Sequence, residues 1–386
     1  MEKVAIVKGQ SRPNESDVIA MVRRAVGLVG GVESVVRPGD RVVLKPNIVT
    51  DKATVGATTD PRVVKALIIM AHEANAREVL VAEGAGYGSP TLEAFERSGI
   101  KGVAESLGAK IIDVDTDDRV EVTVPDPLIV DRILVSRAFS ESDVRINVPI
   151  MKTHDQMTVT LGMKNMKGVV PKPEKRRFHR VGLAKAIVDL NRAVHTNLTV
   201  VDGIIAMEGL GPGLGDPVEM DVIMAGKDVA AVDTIGIMAM GFDPDEIPYL
   251  KLAREVGFGT TDRDKIEVVG EPLEKIAKKF KPPPMDLVPT KGVKVIEKGA
   301  CSACRGTIRS VFNDLQRLGT KDKIQDLTIA VGPLVELSER PGERPLIMGT
   351  CLTKYRNLGR FVVGCPPNND HMIEAIHELC SLDRPE

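Results

Sequence analysis

The sequence predicts an α/β protein: a mostly parallel, doubly wound (Rossmann-like) sheet domain joined to a small C-terminal α/β domain with a four-cysteine site. Three observations lead there. Short runs of apolar β-formers alternate with segments whose apolar residues recur at helical spacing, the rhythm of βαβ units. A proline run, Lys281-Pro282-Pro283-Pro284, interrupts the chain, because proline has no amide hydrogen to give a helix interior or a central strand. All five cysteines fall after that break. The expected division is an α/β domain over 1–280, a linker over 281–292 and a metal-binding domain over 293–386.

The elements follow in order. Residues 1–7 read as a first strand, and 41–44 as a second that ends at Lys45-Pro46-Asn47. Asp60-Pro61 is a helix start, with Asp60 as N-cap and Pro61 at the first helical position. Val63, Val64, Leu67, Ile68 and Ala71 then keep helical spacing. A strand over 78–83 leads into a Gly-rich turn, and a helix runs from Thr91 to about Gly99. Strands are expected at 110–114 and 144–148. The stretch 152–180 is rich in Lys, Arg, Met and Gly and reads as less regular. A helix over 183–194, a strand over 198–203, a Gly/Pro loop over 209–215, a strand over 222–226 and a helix over 229–240 complete the domain. After the proline run come a Cys-x-x-Cys helix start, a helix to about Leu318, strands at 327–331, 345–348 and 360–363, and a last helix over 369–379.

Composition narrows the function. Lys+Arg 52 against Asp+Glu 54 leaves a formal charge of −2, and aromatics are 3% with no Trp. Neither the charge nor the supply of stacking rings suits nucleic acid or an anionic membrane. No apolar run approaches the ~18 residues of a membrane span, and the N-terminus lacks the apolar core of a secretion signal. The expected location is the cytoplasm, where thiols stay reduced and clustered cysteines favour metal ligation over disulfides.

Four cysteines share a context. Cys301 and Cys304 form Cys-Ser-Ala-Cys at a strand-to-helix junction. Cys351 and Cys365 follow the strands at 345–348 and 360–363 through Gly349 and Gly364. Three strand ends thus deliver thiols to one edge of a small sheet. Soft thiolates hold iron or zinc, and the x₂ spacing lets two sulfurs reach one site. The widely spaced third and fourth cysteines, and the Cys-Pro at 365–366, favour an iron–sulfur cluster, 4Fe-4S, over zinc. A redox dithiol at Cys301/Cys304 and plain apolar packing remain alternatives. Cys380 has the apolar spacing of Met372, Ile376 and Leu379 and reads as a packing thiol.

The first domain carries a polar set. Lys45, Asn47, Glu83, Lys152, His154 and Asp202 stand at strand ends, and Lys164, Asn165 and Lys167 lie in Gly-Met-Lys-Asn-Met-Lys-Gly between them. In an open α/β sheet such ends share the edge that forms the ligand crevice. Lysines grouped with a few carboxylates suit an anionic small molecule, with Lys45, Asn47, Asn165 and Lys167 binding it. Glu83, Lys152, His154, Lys164 and Asp202 are the candidates for catalysis.

The segments K-P-N at 45–47, T-T-D-P at 58–61, N-V-P-I-M-K-T-H at 147–154, G-M-K-N-M-K-G at 162–168, the D-G…M-E-G-x-G-P series at 202–212 and G-K-D-V-A-A-V-D at 226–233 together resemble the family called domain of unknown function 362, over about residues 1–270. The resemblance implies association with iron–sulfur chemistry, since members are often described as iron–sulfur proteins with a ferredoxin-like module. This chain lacks the repeated Cys-x₂-Cys-x₂-Cys-x₃-Cys of such a module, so its cysteine domain is a different one. The family offers no established reaction. The expectation is an iron–sulfur enzyme or redox protein acting on an anionic small molecule, with an electron-transfer partner if the cluster passes electrons. A non-redox enzyme with structural zinc and a metallocofactor scaffold are the alternatives. Self-association into a homo-oligomer stays open.

Overall fold

The computed structural model describes residues 1–52, 54–86, 88–283 and 290–382. The chain divides into two compact units, Met1–Pro283 and Pro284–Glu386. The expected linker over 281–292 falls partly on 284–289, which lie outside the described residues. Its first residue belongs to the fold of the first unit. Lys281 donates its backbone N–H to Glu208 Oε2 (2.9 Å), its carbonyl accepts from Gly209 N–H (2.9 Å), and its ammonium pairs with Glu208 (3.1 Å).

The first unit contains, in chain order, strands β1 (Glu2–Lys8), β2 (Arg41–Pro46), β3 (Glu78–Glu83), β4 (Lys110–Asp113), β5 (Arg119–Thr123), β6 (Arg132–Ser136), β7 (Val144–Val148), β8 (Ile150–His154), β9 (Thr158–Thr160), β10 (Leu198–Glu208), β11 (Asp216–Gly226) and β12 (Ile266–Gly270). Among the described residues ten of them form one sheet in the order β12-β1-β11-β10-β7-β2-β3-β4, with β8 on β10 and β9 on β8. The run β10-β7-β2-β3-β4 is parallel throughout. All its C-terminal ends therefore lie on one edge. Strands β5 and β6 pair separately.

The two-residue period of the strands sends alternate side chains to opposite faces. Val43 and Leu80 enter one core, and Val42, Leu44, Val79 and Val81 enter the other. Helices Glu15–Leu28 and Pro61–Glu73 cover the second face, and Leu183–Ala193 and Val229–Ala239 the first. The sheet is thus mixed α/β, mainly parallel and covered on both sides. It departs from the sequence reading in its middle. The strands read over 198–203 and 222–226 are the buried halves of two eleven-residue strands, β10 and β11, joined as an antiparallel hairpin with a register shift between Gly203 and Ile205. Strand β1 pairs antiparallel to β11 and parallel to β12. Within the stretch read as irregular, β8, β9 and helix Lys172–Val181 are regular.

One buried carboxylate fixes the segment 162–168. Asp233, fully buried on helix Val229–Ala239, accepts from Gly162 N–H (2.6 Å) and Met163 N–H (3.0 Å) at the start of the short helix Gly162–Asn165. Burial pushes its carboxyl up to about 7, and the two backbone bonds pull it back. Asn147 donates Nδ2–H to Gly162 O (2.8 Å) from the other side. Residue 162 must be glycine because a Cβ there would lie 2.6 Å from Val229 Cγ2 and 2.8 Å from Asp233 Oδ1.

The second unit has strands β13 (Val293–Glu297), β14 (Leu327–Val331), β15 (Arg344–Met348) and β16 (Arg360–Val362), paired in that order and all parallel. Helices Ser302–Arg317 and Asn369–Cys380 share one core with it through Ile308, Val311, Leu315, Met372 and Ile376. Among the described residues no helix is long and apolar enough to cross a membrane.

Replacing Asp233 by Ala leaves two buried N–H groups without an acceptor, each worth about 1–3 kcal/mol. The expected loss in urea unfolding of the chain is on the order of 3 kcal/mol. A loss under about 1 kcal/mol would show that segment 162–168 is held by other means.

Candidate functional site

Strands β2 and β3 end side by side, and each delivers one charge to the shared edge. Lys45 and Glu83, both 2% exposed, form an ion pair there. The remaining valences of the pair are met. Lys45 Nζ also donates to Asn165 Oδ1 (2.8 Å) and Pro46 O (2.9 Å), and Glu83 Oε1 accepts from Gly84 N–H (2.8 Å). Burial pushes the Lys45 ammonium down to about 8 against the pull of Glu83, and pushes the Glu83 carboxyl up against the pull of Lys45 and Lys175. The pair needs the bare backbone of Gly168. A Cβ at that position would lie 1.8 Å from Glu83 Oε1 and 2.6 Å from Lys45 Cε.

Asn165 passes the network on. Its Oδ1 also accepts from Asn47 Nδ2–H (2.8 Å), and its Nδ2–H groups donate to Asn147 Oδ1 (2.7 Å) and Lys45 O (3.2 Å). Asn47 Oδ1 in turn accepts from Lys152 Nζ (2.7 Å). Lys152, on β8, is fully buried and donates further to Ala57 O (2.6 Å) and Pro212 O (3.0 Å). Those carbonyls belong to the loop after β2 and to the β10–β11 hairpin loop, so both loops lie over this ammonium. Burial, then the charges of Lys164 and Lys45, hold Lys152 well below the ordinary lysine range.

Beside it lies a second group of bases. His154 Nδ1 accepts from Gln156 N–H (3.0 Å) and stands 3.0 Å from Asp155 Oδ1. Burial, then Lys164, Lys167, Lys152 and His179, hold the ring well below the ordinary histidine range. His179 is bonded to Lys167 and is held well below the ordinary histidine range by burial and by Lys167 and Lys164. Lys175 donates to Gly84 O (2.6 Å) and Ala85 O (3.2 Å), and burial lowers it. Lys164 is half-buried. Burial brings it down to about 7, Asp155 and Glu83 favouring its charge and Lys45 opposing it.

The structure therefore brings Lys45, Asn47, Glu83, Lys152 and Asn165 into one hydrogen-bonded network, with His154, Lys164 and Lys167 within its field. Asp202 stands apart from that network. It accepts from Asp60 N–H (2.7 Å) and Ile204 N–H (3.0 Å) and faces a cavity of about 260 Å³ lined also by Thr50, Lys52, Thr59 and Arg97. Burial, then the charge of Asp60, pushes Asp202 up to about 7. Lys175, His179, Asn147 and Asp155 belong to the site although none is among the candidate site residues the sequence yields; His179 reads there as a surface or packing residue, and the structure buries it against Lys167. For two of them a signal existed. Glu174, Lys175, Phe178 and His179 follow the i, i+1, i+4, i+5 spacing of a helix face, and all four are buried.

The cysteines occupy the C-terminal edge of the second unit's sheet. Cys301 caps the helix Ser302–Arg317 after β13, and Cys351 and Cys365 follow β15 and β16. Gly349 and Thr350 continue the pairing of the two strand ends by donating to Val362 O and Gly364 O (2.9 Å each). The Cys301 and Cys304 thiols lie near each other, and their interaction lowers Cys301 to about 6 and raises Cys304, which also feels the charges of Cys351 and Cys365. A Cβ on Gly349 would lie 3.7 Å from Cys351 Sγ and 3.9 Å from Cys304 Sγ. Among the described residues no three His, Cys, Asp or Glu side chains are arranged to hold a metal ion. Cys380 is buried in the core beside Met372 and Ile376.

The depressed lysines predict a pH profile. A base whose folded pKa lies below its unfolded value leaves the unfolded chain with more protons between the two, so stability rises with pH across that window. For Lys164 the window runs from about 7 to the ordinary 10.5. Urea unfolding should show stability increasing from pH 7 to pH 9. Lys164→Met should flatten the rise and be the more stable protein at pH 6. An unchanged slope in the variant would remove Lys164 as its source.

Comparison with known proteins places this chain. It is 29% identical over 301 residues to the thylakoid-associated protein sll1697 of Synechocystis sp. (strain ATCC 27184 / PCC 6803 / Kazusa), a match that spans 73% of this chain and 88% of that protein. Among solved structures it is similar to the lactate racemase apoprotein of Thermoanaerobacterium thermosaccharolyticum, with 10% identity and a TM-score of 0.42 over 86% of this chain and 69% of that one. It is also similar to a protein from Thermotoga maritima, with 15% identity and a TM-score of 0.39 over 84% and 72%. The model of the family described as domain of unknown function (DUF362) matches residues 42–238, more than half of the chain, and spans the Lys45–Lys152–Lys164 site: the chain belongs to that family.

Proposed function

We propose that the first unit binds a small anionic molecule among Lys45, Lys152, Lys164, Lys167 and Lys175, and that the protein is an iron–sulfur enzyme or redox protein whose cluster is held by the second unit. One observation carries the first half: five lysines gather around two carboxylates, Glu83 and Asp155, with Asp113 and Asp115 also drawing on Lys175. Burying like charges together is costly unless counter-charge arrives, and a bound anion would supply it. Two buried acceptors of the β8–β9 hairpin that carries Lys152 and His154, Gln156 Oε1 and Thr160 Oγ1, have no hydrogen-bond partner among the described residues. They suit a ligand that also carries hydroxyl or amide donors. In this reading Lys45, Asn47, Asn165 and Lys167 bind the molecule. Lys152, His154, Lys164 and Glu83 surround its reacting part. Asp202, bonded to the N-terminal turn of helix Pro61–Glu73, acts from the neighbouring cavity.

The chemistry of the donor set supports the second half. Cys301, Cys304, Cys351 and Cys365 are four thiols on one sheet edge, with electrostatic coupling among them. They are the residues that would hold a 4Fe-4S cluster, and its chemistry would be one-electron transfer or Lewis-acid binding. Reduced thiols of this kind fit a cytoplasmic protein.

Two measurements test the proposal. In calorimetry, inorganic phosphate should bind the chain, more weakly as NaCl rises, and Lys167→Gln should weaken it about tenfold, the loss of one charge contact at ~1.4 kcal/mol. Binding that ignores both salt and the variant would place the anion elsewhere. After anaerobic purification the chain should carry iron and sulfide in equal amounts. Cys301→Ser, Cys304→Ser, Cys351→Ser and Cys365→Ser should each cut retained iron several-fold, and Cys380→Ser should not. Colourless protein with one zinc would assign the thiols to a structural ion instead.

A further inference from the structure

The lysines of the first unit's site are not equivalent. Lys45 spends its ammonium on Glu83, Asn165 and Pro46 O, and Lys152 on Asn47, Ala57 O and Pro212 O. Lys175 donates to two carbonyls and Lys167 is bonded to His179. An ammonium with its hydrogens committed to fixed acceptors can hold an anion by charge, but its nitrogen lone pair is not available to attack. Lys164 differs. Among the described residues it makes no hydrogen bond and no ion pair within 4 Å, and it keeps part of its surface open. It also stands on rigid backbone, because its short helix is clamped by Asp233 at Gly162 and Met163 and by Asn147 at Gly162 O. Around it lie Lys45, Lys152, His154, His179, Glu83 and Asp155.

From this contrast we propose that Lys164 is the nucleophile of the site and forms an imine with a small oxo acid, an aldehyde or ketone bearing a carboxylate. The proposal rests on the anion-binding reading and names the substrate class. The committed lysines hold the carboxylate by charge, which leaves the carbonyl carbon to the uncommitted amine. The ammonium first gives a proton to bulk water. The neutral nitrogen then bonds to the carbonyl carbon, and the C=O π pair becomes a hydroxyl by taking the proton that the nitrogen sheds. That hydroxyl takes the second proton of the nitrogen and leaves as water while the nitrogen lone pair forms the C=N bond. No electrons are gained or lost. Burial among like charges, which favours the neutral amine near pH 7, supports the first step.

The test uses the full chain with glyoxylate and sodium cyanoborohydride at pH 7, followed by digestion and mass spectrometry of every lysine-containing peptide. The hydride traps the imine as a carboxymethyl-lysine. The expected result is an adduct on Lys164 at least ten times faster than on any other lysine, slowed by added phosphate and absent in Lys164→Arg. Labelling spread evenly over exposed lysines, or concentrated on another lysine of the site, overturns the proposal. The site mapping is read on the unaltered chain, so it decides even if the variant folds poorly. Phosphate binding without selective labelling would leave the anion site standing and remove only the nucleophile. Loss of both would remove the two readings together.

Discussion

An ammonium and a carboxylate buried side by side at the ends of adjacent parallel strands dictate much of what surrounds them. Taking the two charges out of water costs several kcal/mol each, so Lys45 and Glu83 persist there only because every other donor and acceptor finds a partner. Asn165 and Pro46 O take the remaining Lys45 hydrogens, and Gly84 supplies an N–H to the carboxylate. Each of these sits on a different segment, so meeting the pair's valences fixes the loop after β2, the turn after β3 and the helix Gly162–Asn165 at once. Gly168 contributes by lacking a side chain, since the space a Cβ would need is already filled by the pair.

The same logic runs outward. Asn165 and Asn47 are amides with both donor and acceptor, and they hand the pattern from Lys45 to Lys152 without adding charge. The cationic character therefore builds up away from its first counter-ion. Among the described residues Glu83 opposes it at Lys45, and Glu83 and Asp155 at Lys164, while Asp115 pairs with Lys172 and, with Asp113, draws on Lys175. The four lysines with committed hydrogens form a fixed positive frame. Lys164 stands inside that frame, and the difference between holding charge and offering a lone pair becomes a difference in hydrogen-bond count.

Much of this was readable from residues alone. The apolar runs before Lys45, Glu83 and Asn147 marked strand ends, and right-handed crossovers put such ends on one edge. The N-cap at Asp60 and the strand-end context of the four cysteines were readable in the same way. What was not readable depends on packing at a distance. Strand β1 looks like any first strand, and nothing local says that it pairs with β11. Strands β8 and β9 span only five and three residues, and every residue of β8 is buried, so no two-residue period stands out. Asp202 shows the limit of the strand-end argument. Expected at a strand end, it lies inside the eleven-residue strand β10, and its carboxylate accepts from the backbone of Asp60 and Ile204, because a sheet position fixes where a side chain starts but not what it meets. The helix Lys172–Val181 hid its role for the opposite reason: its composition looks solvent-facing, and only the spacing of its buried residues betrays an inner face.

The wide separation of the site's partners along the chain bears on how the protein reaches its native state. Lys45 meets Glu83 across 38 residues and Asn165 across 120, and Lys152 meets Asn47 across 105 and Pro212 across 60. Closing loops of that length costs entropy before any bond rewards it, and chains dominated by such distant pairings fold slowly. The lysines must keep their hydration shells until β2, β3, β7 and β10 are already aligned, because no partial assembly offers them enough acceptors. Formation of the site and completion of the sheet are then a single event, and the polar centre acts as a late checkpoint on the register of the strands around it.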